Sequence, residues 1–347
     1  MKAAARIFVV TLGVVVTFLP AHPAVLAQRP PAAGLTRFHH VHLNSVDPKA
    51  AAEYYPKPFA ASAVKTTLNG YEAVRTGDVH ILFTKVDTPP KSGLTAPQSA
   101  VWHFGWNTPD SQQYDQKFRS MGLKIAQMWD SNDGKLIDMS SDMPLLPGPS
   151  DAFLATEVYP TQEQIFDLRA KGAQPGRKGG FGYLRGPDEA MIENAQGTVE
   201  RFNHMHMYHE HPQCAMIWYV TYLDATLPAG RGGAPGAMPT AENCKRPYSP
   251  PTFPSFAKSG FVREPRGGVS FGDISISMVP WPGGGLPSTR GYVVDHFAIS
   301  VPDLDARVAR LKAAGVKVLE DIHPWGNTRA AMVEGPDRVA IELVEAK

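Results

Sequence analysis

The sequence predicts a mixed α+β protein in which one strand-and-helix module occurs four times and the four modules pair into two domains. A histidine opens a β-like run in each module, and a polar residue seven positions later precedes a helix; the four pairs are His40 and Asp47, His103 and Asp110, His204 and His211, and His296 and Asp303. A second motif, Gly-Pro-Asp before an apolar strand with a glutamate, occurs twice and ends at Glu193 and Glu342. The chemistry therefore reads His, His, Glu twice along the chain, and two histidines with one carboxylate are the ligands of an open facial metal site.

Residues 1–27 are predicted to be a secretory signal peptide. Lys2 and Arg6 give a basic start, residues 7–19 carry no charge, and the small residues of 24–27 precede Gln28. The uncharged run is shorter than the roughly 20 apolar residues that span a bilayer. We therefore expect a secreted or periplasmic protein that has no membrane association after cleavage, with residues 28–35 as a linker.

The first and third modules match each other. The β-like run from Phe38 to Leu43 resembles that from Phe202 to Met207, and Pro48 and Pro212 each open the helix that follows. Later strands also correspond, since the Gly-Asp at 77–78 and the Gly-Asp at 272–273 both precede an apolar run.

The second and fourth modules form the other matching pair. Residues 295–301 alternate apolar with polar or small side chains, as a strand does. Leu304, Val308 and Leu311 then share one helical face, and Gly315 ends that helix. The segment from Asp110 to Gly122 repeats this helix at the same length.

The order of the modules predicts one domain over residues 36–198 and a second over 199–347. Each domain carries an insertion, at about 128–180 in the first and about 226–266 in the second, and a helix is expected within 161–171. Long insertions of this kind often form lids or pocket walls.

Charge and cysteine content limit the partners. Lysine and arginine total 34 against 33 acidic residues, and no block of like charge occurs, so we expect no nucleic-acid partner. The two cysteines, Cys214 and Cys244, could form a disulfide in an oxidising compartment or remain free thiols.

These motifs resemble the vicinal oxygen chelate (VOC) superfamily, which includes glyoxalase I, extradiol dioxygenases, and fosfomycin- and bleomycin-resistance proteins. The resemblance rests on the strand-start histidine, the Pro-Asp helix entry and the terminal Gly-Pro-Asp strand with its glutamate, and it covers the chain from residue 36 apart from the insertions. It implies tandem VOC domains, each of two βαβββ modules that curve into a half-open barrel with a divalent metal, Fe²⁺, Mn²⁺ or Zn²⁺, in its mouth.

Carried over by position, the resemblance assigns the metal ligands to the six motif residues. The first domain would use His40, His103 and Glu193, and the second His204, His296 and Glu342. Glyoxalases take a fourth ligand from a late strand, but residues 80–83 and 275–278 offer no carboxylate there. This departure favours three-ligand members such as extradiol dioxygenases.

Two further histidines are candidate catalytic residues. A strand places residues i and i+2 on one face, so His42 and His206 should share the face of His40 and His204 and act as supporting groups or as general bases, unless they only fill the barrel. The same periodicity predicts that His39 points to the opposite face. A competing cupin-like pattern, His204-x-His206-x3-Glu210, lacks the later glycine of that motif.

The expected function is a secreted metal-dependent enzyme that acts on a small oxygen-rich molecule, as a monomer or homodimer. Ring-cleaving dioxygenase chemistry matches the ligand set best, although ferrous iron is hard to keep reduced outside the cytosol, which leaves lyase, isomerase, hydrolase or thiol-transferase chemistry open. The alternative is a binding protein of the bleomycin-resistance type that sequesters an aromatic ligand. Aromatic residues that could wall such a pocket are Trp102, Phe104, Trp106 and Trp218.

Overall fold

The protein is described from a computed structural model. The structure describes residues 36–346 except 95–96, 130–135, 138–162, 164–166, 168–169, 172–180, 229–237 and 254. The predicted signal peptide, the linker and most of the predicted 128–180 insertion lie outside the described residues. Of the helix expected within 161–171, Glu163, Asp167 and Ala170 are described and are helical. No helix in the described ranges is both long and apolar enough to cross a membrane.

The fold class is mixed α+β, as predicted. The strands are β1 (Arg37–Ser45), β2 (Ala63–Leu68), β3 (Tyr71–Thr76), β4 (Val79–Lys85), β5 (Val101–Thr108), β6 (Met128–Trp129), β7 (Leu136–Ile137), β8 (Phe181–Arg185), β9 (Met191–Gln196), β10 (Arg201–His209), β11 (Gly267–Phe271), β12 (Ile274–Pro280), β13 (Val294–Val301), β14 (Val318–Trp325), β15 (Thr328–Glu334) and β16 (Ala340–Glu345). The helices are α1 (Pro48–Tyr54), α2 (Ser111–Ser120), α3 (Pro212–Leu223) and α4 (Leu304–Ala313), with single 3₁₀ turns at Pro187–Glu189 and Pro336–Arg338.

The polar residue seven positions after each module histidine is the N-cap of the following helix. The carboxylates of Asp47, Asp110 and Asp303 accept hydrogen bonds from the backbone N–H three residues later at 2.9–3.0 Å. His211 occupies the N-cap position of α3, but its side chain makes no capping hydrogen bond. Pro212 is the first residue of that helix. The repeated spacing thus reflects a fixed strand length followed by a helix start, in which the cap satisfies an orphan N–H group.

The modules pair crosswise, which corrects the predicted domains. One eight-stranded sheet has the order β14-β15-β16-β13-β1-β4-β3-β2, and one six-stranded sheet has the order β11-β12-β10-β5-β9-β8. The first module therefore shares a sheet with the fourth, and the second with the third. The expected pairing of the first module with the second, in 36–198, and of the third with the fourth, in 199–347, is not the pairing that forms the sheets. The repeat reveals which modules are alike, but it contains no information about which of the two equivalent partners β1 will pair with.

Modules that follow each other in the chain still contact each other, through the core between the two sheets. Phe38 of the larger sheet and Phe202 of the smaller one have ring centroids 6.0 Å apart. Phe59, beyond α1, stacks on Trp106 of β5 at 4.3 Å. One apolar core thus lies between the sheets and leaves the other face of each sheet free to carry polar residues.

A buried polar network distinguishes the second module from the fourth. Asn194 donates to the backbone carbonyl of Ser111 and to the carboxyl of Asp115, and it accepts from Thr108. Asp115 is 6% exposed. Burial raises the pKa of the Asp115 carboxyl from 3.8 to about 7. A buried carboxylic acid is cheaper when neutral, so the folded state takes up a proton that the unfolded state releases near pH 4.

We expect Asp115→Asn to change the free energy of unfolding in a pH-dependent way. The change caused by the substitution should be more favourable above pH 7 than at pH 4 by about 2–4 kcal/mol. The raised pKa makes the wild type lose stability as the pH rises from about 4 to about 7, and asparagine removes that loss. Urea unfolding at pH 4, 6 and 8 measures it. The matched control is Asp110→Asn on the same helix, which should change little because asparagine caps as well as aspartate. A pH-independent effect of Asp115→Asn would contradict the prediction.

Candidate metal sites

Two clusters of histidine and glutamate lie on the central strands of the two sheets. We call site I the cluster of His40, His42, His296 and Glu342, on β1, β13 and β16. The Nε2 atom of His40 lies 3.1 Å from Oε2 of Glu342, and Nε2 of His296 lies 3.9 Å from the same oxygen. The ligand atoms of the three histidines all lie within 4.8 Å of one another.

Site II is the equivalent cluster of His103, His204, His206 and Glu193, on β5, β10 and β9. Oε2 of Glu193 lies 2.7 Å from Nε2 of His103 and 2.8 Å from Nε2 of His204. One ligand atom from each of the four side chains lies within 4.8 Å of the others. Site II therefore brings one carboxylate and three imidazoles to one point.

The predicted ligand sets were grouped wrongly. His103 and Glu193 do meet, but their partner is His204 rather than His40, and His40 joins His296 and Glu342. The reason is the crosswise pairing, since β1 runs beside β13 and β10 beside β5. All six predicted ligands are thus brought into clusters, with the first histidine of each set exchanged.

A β-bulge supports the first histidine of each site. In β1 an extra residue, His39, is inserted before His40, and in β10 Asn203 is inserted before His204. Bulges re-aim side chains. Nδ1 of His40 consequently lies 2.8 Å from Nδ1 of His39, and Nδ1 of His204 lies 2.8 Å from Oδ1 of Asn203. The expectation that His39 points away from His40 is wrong, because the period of two fails at the bulge.

A second bulge in each sheet places a residue against the other site histidine. Asp295 of β13 is the extra residue beside His296, and its Oδ1 lies 2.8 Å from Nδ1 of that imidazole. Trp102 of β5 is the equivalent residue and packs edge-on against His103 at 4.4 Å. A partner at Nδ1 directs Nε2 of a histidine toward a metal, so the bulges orient three of the four imidazoles. Periodicity alone could not have found these supporting residues.

The predicted catalytic residues His42 and His206 belong to the clusters. His42 lies opposite His296 and His206 opposite His103 across the central strand pair. Nε2 of His42 contacts Oγ1 of Thr84 at 2.6 Å, whereas His206 faces a pocket. Both could serve as a further metal ligand or as a proton acceptor.

The protonation states suit cation binding. Burial lowers the pKa of His40, His42 and His206 well below 6.5, so these imidazoles are neutral and keep a lone pair. Burial also acts to raise the pKa of Glu193, but the facing His204 and His103 outweigh it and hold that pKa well below its ordinary value. Burial raises the pKa of Glu342, a carboxylate that a bound cation would stabilise.

The donor set fits a divalent metal. Neutral imidazole nitrogens with one carboxylate suit Fe²⁺, Mn²⁺ and Zn²⁺, and the clusters leave positions open for a substrate. In site I, Nε2 of His40, Nε2 of His296 and Oε2 of Glu342 are buried with no hydrogen-bond partner among the described residues. Such orphaned polar atoms are costly unless a ligand satisfies them.

The alternatives to this ligand set do not match the structure. The strands β4 and β12, from which a glyoxalase would supply a fourth ligand, carry no carboxylate. The side chain of Glu210, needed by the cupin-like pattern, is 56% exposed and lies near His211.

The third-module insertion forms a wall of site II. Phe261, Arg263 and Arg266 line a pocket that also contains Glu193 and His206. A disulfide between Cys214 of α3 and Cys244 ties this insertion to the module, which settles the open question about the cysteines. The described part of the insertion thus has the wall-forming role that its length suggested, and the sequence alone gave no sign of its arginines.

The four aromatic residues considered as pocket walls divide by location. Trp102 lines the site II pocket. Phe104 and Trp106 are fully buried in the core between the sheets. Trp218 packs against Tyr222 of the same helix, on another part of the surface. Alternate residues of β5 face opposite sides of the sheet, but the bulge at Trp102 lets that side chain join His103.

Comparisons with known proteins agree with the fold and the motifs. Residues 201–343 match the profile described as the Glyoxalase/Bleomycin resistance protein/Dioxygenase superfamily. Glyoxalase I from Zea mays has a similar structure, at 15% identity and a TM-score of 0.53 over 89% of this chain and 92% of that chain. A point mutant of that Zea mays enzyme gives 15% identity and a TM-score of 0.53 over 89% of this chain and 94% of that chain. No curated protein matches in sequence. The profile match therefore assigns residues 201–343 to the Glyoxalase/Bleomycin resistance protein/Dioxygenase superfamily, as their motifs predicted, and the likeness to glyoxalase I extends the same fold over most of the chain.

Proposed function

We propose that the protein is an exported metal-dependent enzyme that binds a small oxygen-rich substrate at site II. The observation that carries the proposal is the convergence of His103 and His204 on one oxygen of Glu193, at 2.7 and 2.8 Å, beside a walled pocket. These three residues would hold the metal. A divalent ion bound there would supply a Lewis acid that polarises a substrate oxygen.

The protein's own residues orient the substrate and limit water. Trp102, Tyr183 and Phe261 border the pocket beside Glu193, so a bound molecule would displace water from the carboxylate. His206 faces the same pocket with a neutral imidazole, and we assign it as the acceptor of a substrate hydroxyl proton. His42 is the equivalent group in site I.

Among the reactions open to this ligand set, ring-cleaving dioxygenase chemistry is the one we favour. A lyase, isomerase or thiol-transferase reaction with Mn²⁺ or Zn²⁺ is the alternative within the enzyme class. The Cys214–Cys244 disulfide supports an oxidising compartment, secreted or periplasmic, which favours the metals that do not need to stay reduced.

Metal analysis of the purified processed protein tests the proposal. We expect stoichiometric Fe, Mn or Zn by mass spectrometry, and oxygen uptake with catechols if the reaction is a dioxygenation. If metal is present but no oxygen is consumed, the dioxygenase reaction is rejected, and lyase, isomerase and thiol-transferase assays follow. The proposal fails if no stoichiometric metal is present or can be loaded.

A second candidate is a non-catalytic protein that sequesters an aromatic molecule. The observation that favours it is the aromatic surround of the site II pocket, where Trp102 lies 4.8 Å from Phe261 and 6.0 Å from Tyr183 between ring centroids. Tight ligand binding without turnover, unchanged by metal removal, would support this function instead.

A further inference from the structure

Site I contains a fourth buried donor atom besides the three ligands assigned to it. Nδ1 of His42 is buried and has no hydrogen-bond partner among the described residues, like Nε2 of His40, Nε2 of His296 and Oε2 of Glu342. The four residues are 0–6% exposed. Buried polar atoms without partners are costly, so four of them in one cluster indicate that a bound ligand satisfies them together.

A threonine hydroxyl holds the other nitrogen of His42. Nε2 of His42 lies 2.6 Å from Oγ1 of Thr84 on β4. A neutral imidazole has one N–H group and one nitrogen lone pair. If Nε2 accepted a proton from Thr84, the ring N–H would lie on Nδ1, buried and without an acceptor. When Nε2 donates to Thr84 instead, Nδ1 keeps a lone pair that a cation can satisfy.

The strand order directs this lone pair toward site I. β1, which carries His42, lies between β4 with Thr84 and β13 with His296. The two nitrogens of an imidazole point in nearly opposite directions, so an Nε2 held on the β4 side leaves Nδ1 on the β13 side. One ligand atom of His42 accordingly lies within 4.8 Å of ligand atoms of His40 and His296.

The spacing of the three imidazole rings fits one shared ion. The ring centroid of His42 lies 4.6 Å from that of His296 and 5.7 Å from that of His40, and the centroids of His40 and His296 are 5.8 Å apart. Since Zn²⁺ binds an imidazole nitrogen at about 2.0–2.1 Å, two rings on one ion at bond angles of about 90–140° have centres about 4.5–6 Å apart. All three separations fall in this range.

Site II lacks the hydroxyl that holds His42. In the strand register, Val279 of β12 has the position that Thr84 has on β4. Val279 lines the pocket beside His206, and its side chain offers no hydrogen-bonding group. His206 therefore has no equivalent of the Thr84 hydrogen bond, and its imidazole stays available to a substrate.

We propose that His42 binds a divalent metal at site I through Nδ1, with Thr84 as its positioning residue, so that site I is a three-histidine, one-glutamate centre. The same position serves proton transfer in site II, where Val279 replaces the threonine. The assignment of site I goes beyond the proposed function, which concerns site II, and only the contrast with His206 rests on that function.

Removal of the imidazole tests the ligand assignment. Zn²⁺ affinity is measured in a Glu193→Ala background, in which only site I responds. His42→Ala should weaken site I about a hundredfold, because even a supporting residue contributes 10–100-fold. The matched control is His206→Ala in a Glu342→Ala background, where site II affinity should stay within about threefold. An unchanged site I affinity in His42→Ala would overturn the inference.

The threonine is tested by two substitutions of similar size, again in the Glu193→Ala background. Thr84→Val copies the residue of site II and should weaken site I about tenfold, since it removes the group that orients a ligand. Thr84→Ser keeps the hydroxyl and should stay within about threefold of the unsubstituted affinity. A threonine that only packs would tolerate the isosteric valine better than the smaller serine, so equal or reversed effects contradict the positioning role.

Proton NMR of the Co²⁺-loaded Glu193→Ala protein counts the imidazole ligands while His42 is intact. Each histidine on the ion keeps one exchangeable ring N–H, whose resonance Co²⁺ shifts far from the ordinary range. Three such resonances are expected, from His40, His42 and His296, and His42→Ala should remove one. Two resonances while His42 is present would overturn the inference, even if the His42→Ala variant failed to fold.

Failure of the proposed function is distinguishable from failure of this inference, because the two concern different sites. If site II binds no metal but His42→Ala weakens site I, the enzyme proposal fails and the four-ligand centre stands. If site II binds metal and His42→Ala leaves site I unchanged, the enzyme proposal stands and the four-ligand centre is rejected. Absence of metal from both sites rejects both.

Discussion

Glu193→Ala is expected to remove one of two metal ions from a fully loaded chain, and His40→Ala to remove the other. Glu193 supplies the oxygen on which His103 and His204 converge, whereas His40 shares Glu342 with His296. Since even a supporting residue of a metal site contributes 10–100-fold to affinity, loss of a direct ligand should weaken its own site by roughly a hundredfold or more. Metal titration followed by mass spectrometry measures the ions retained per chain.

The double variant decides between the two groupings of ligands. The crosswise arrangement predicts that His40→Ala with Glu193→Ala loses both ions, because the substitutions fall in different sites. A grouping of His40, His103 and Glu193 in one site predicts that the double variant keeps one ion. His80→Ala is the control, since His80 pairs with His40 across β1 and β4 but lies outside both clusters, and it should retain two ions.

The residue types of the sites were predictable from sequence because their positions follow local rules. A histidine at a strand start, an aspartate N-cap and a Gly-Pro-Asp turn are all set by a few neighbouring residues, and each recurs in register. Asp188 and Asp337 of the two turns both adopt a positive φ of 55° and 53°, so the local conformation repeats as well as the sequence. These short-range constraints were sufficient to identify all six candidate ligands.

The grouping of those residues was not predictable, because it depends on contacts between distant strands. β5 and β13 are equivalent in sequence, so either could pair with β1, and the choice is made by the whole core rather than by a local motif. The bulges at His39 and Asp295 could not be detected from the sequence either, because an inserted residue leaves the apolar alternation on each side of it unchanged. The residues that support the histidines could therefore be identified only from the strand register.

Gly105 explains why the histidine nitrogens lie closer to the carboxylate oxygen in site II than in site I. Gly105 pairs with His204 on one side and with Glu193 on the other. A Cβ there would lie 2.6 Å from Nε2 of His204 and 2.9 Å from Cβ of Glu193, closer than non-bonded atoms approach. In site I the equivalent residue is Ala298, which pairs with His40, and the carboxylate distances there are 3.1 and 3.9 Å instead of 2.7 and 2.8 Å.

Gly105→Ala should therefore weaken metal binding at site II by about 10–100-fold, the range seen when a ligand is misoriented without being removed. The measurement is a metal titration in a Glu342→Ala background, where only site II responds. The reciprocal Ala298→Gly, in a Glu193→Ala background, should keep or improve the affinity of site I and cost about 0.5–1 kcal/mol of stability, since glycine is unfavourable within a strand. Equal site II affinity with and without the Gly105→Ala substitution would mean that the His204 ring has room to move, and the difference between the sites would then have to come from the bulge residues His39 and Asn203.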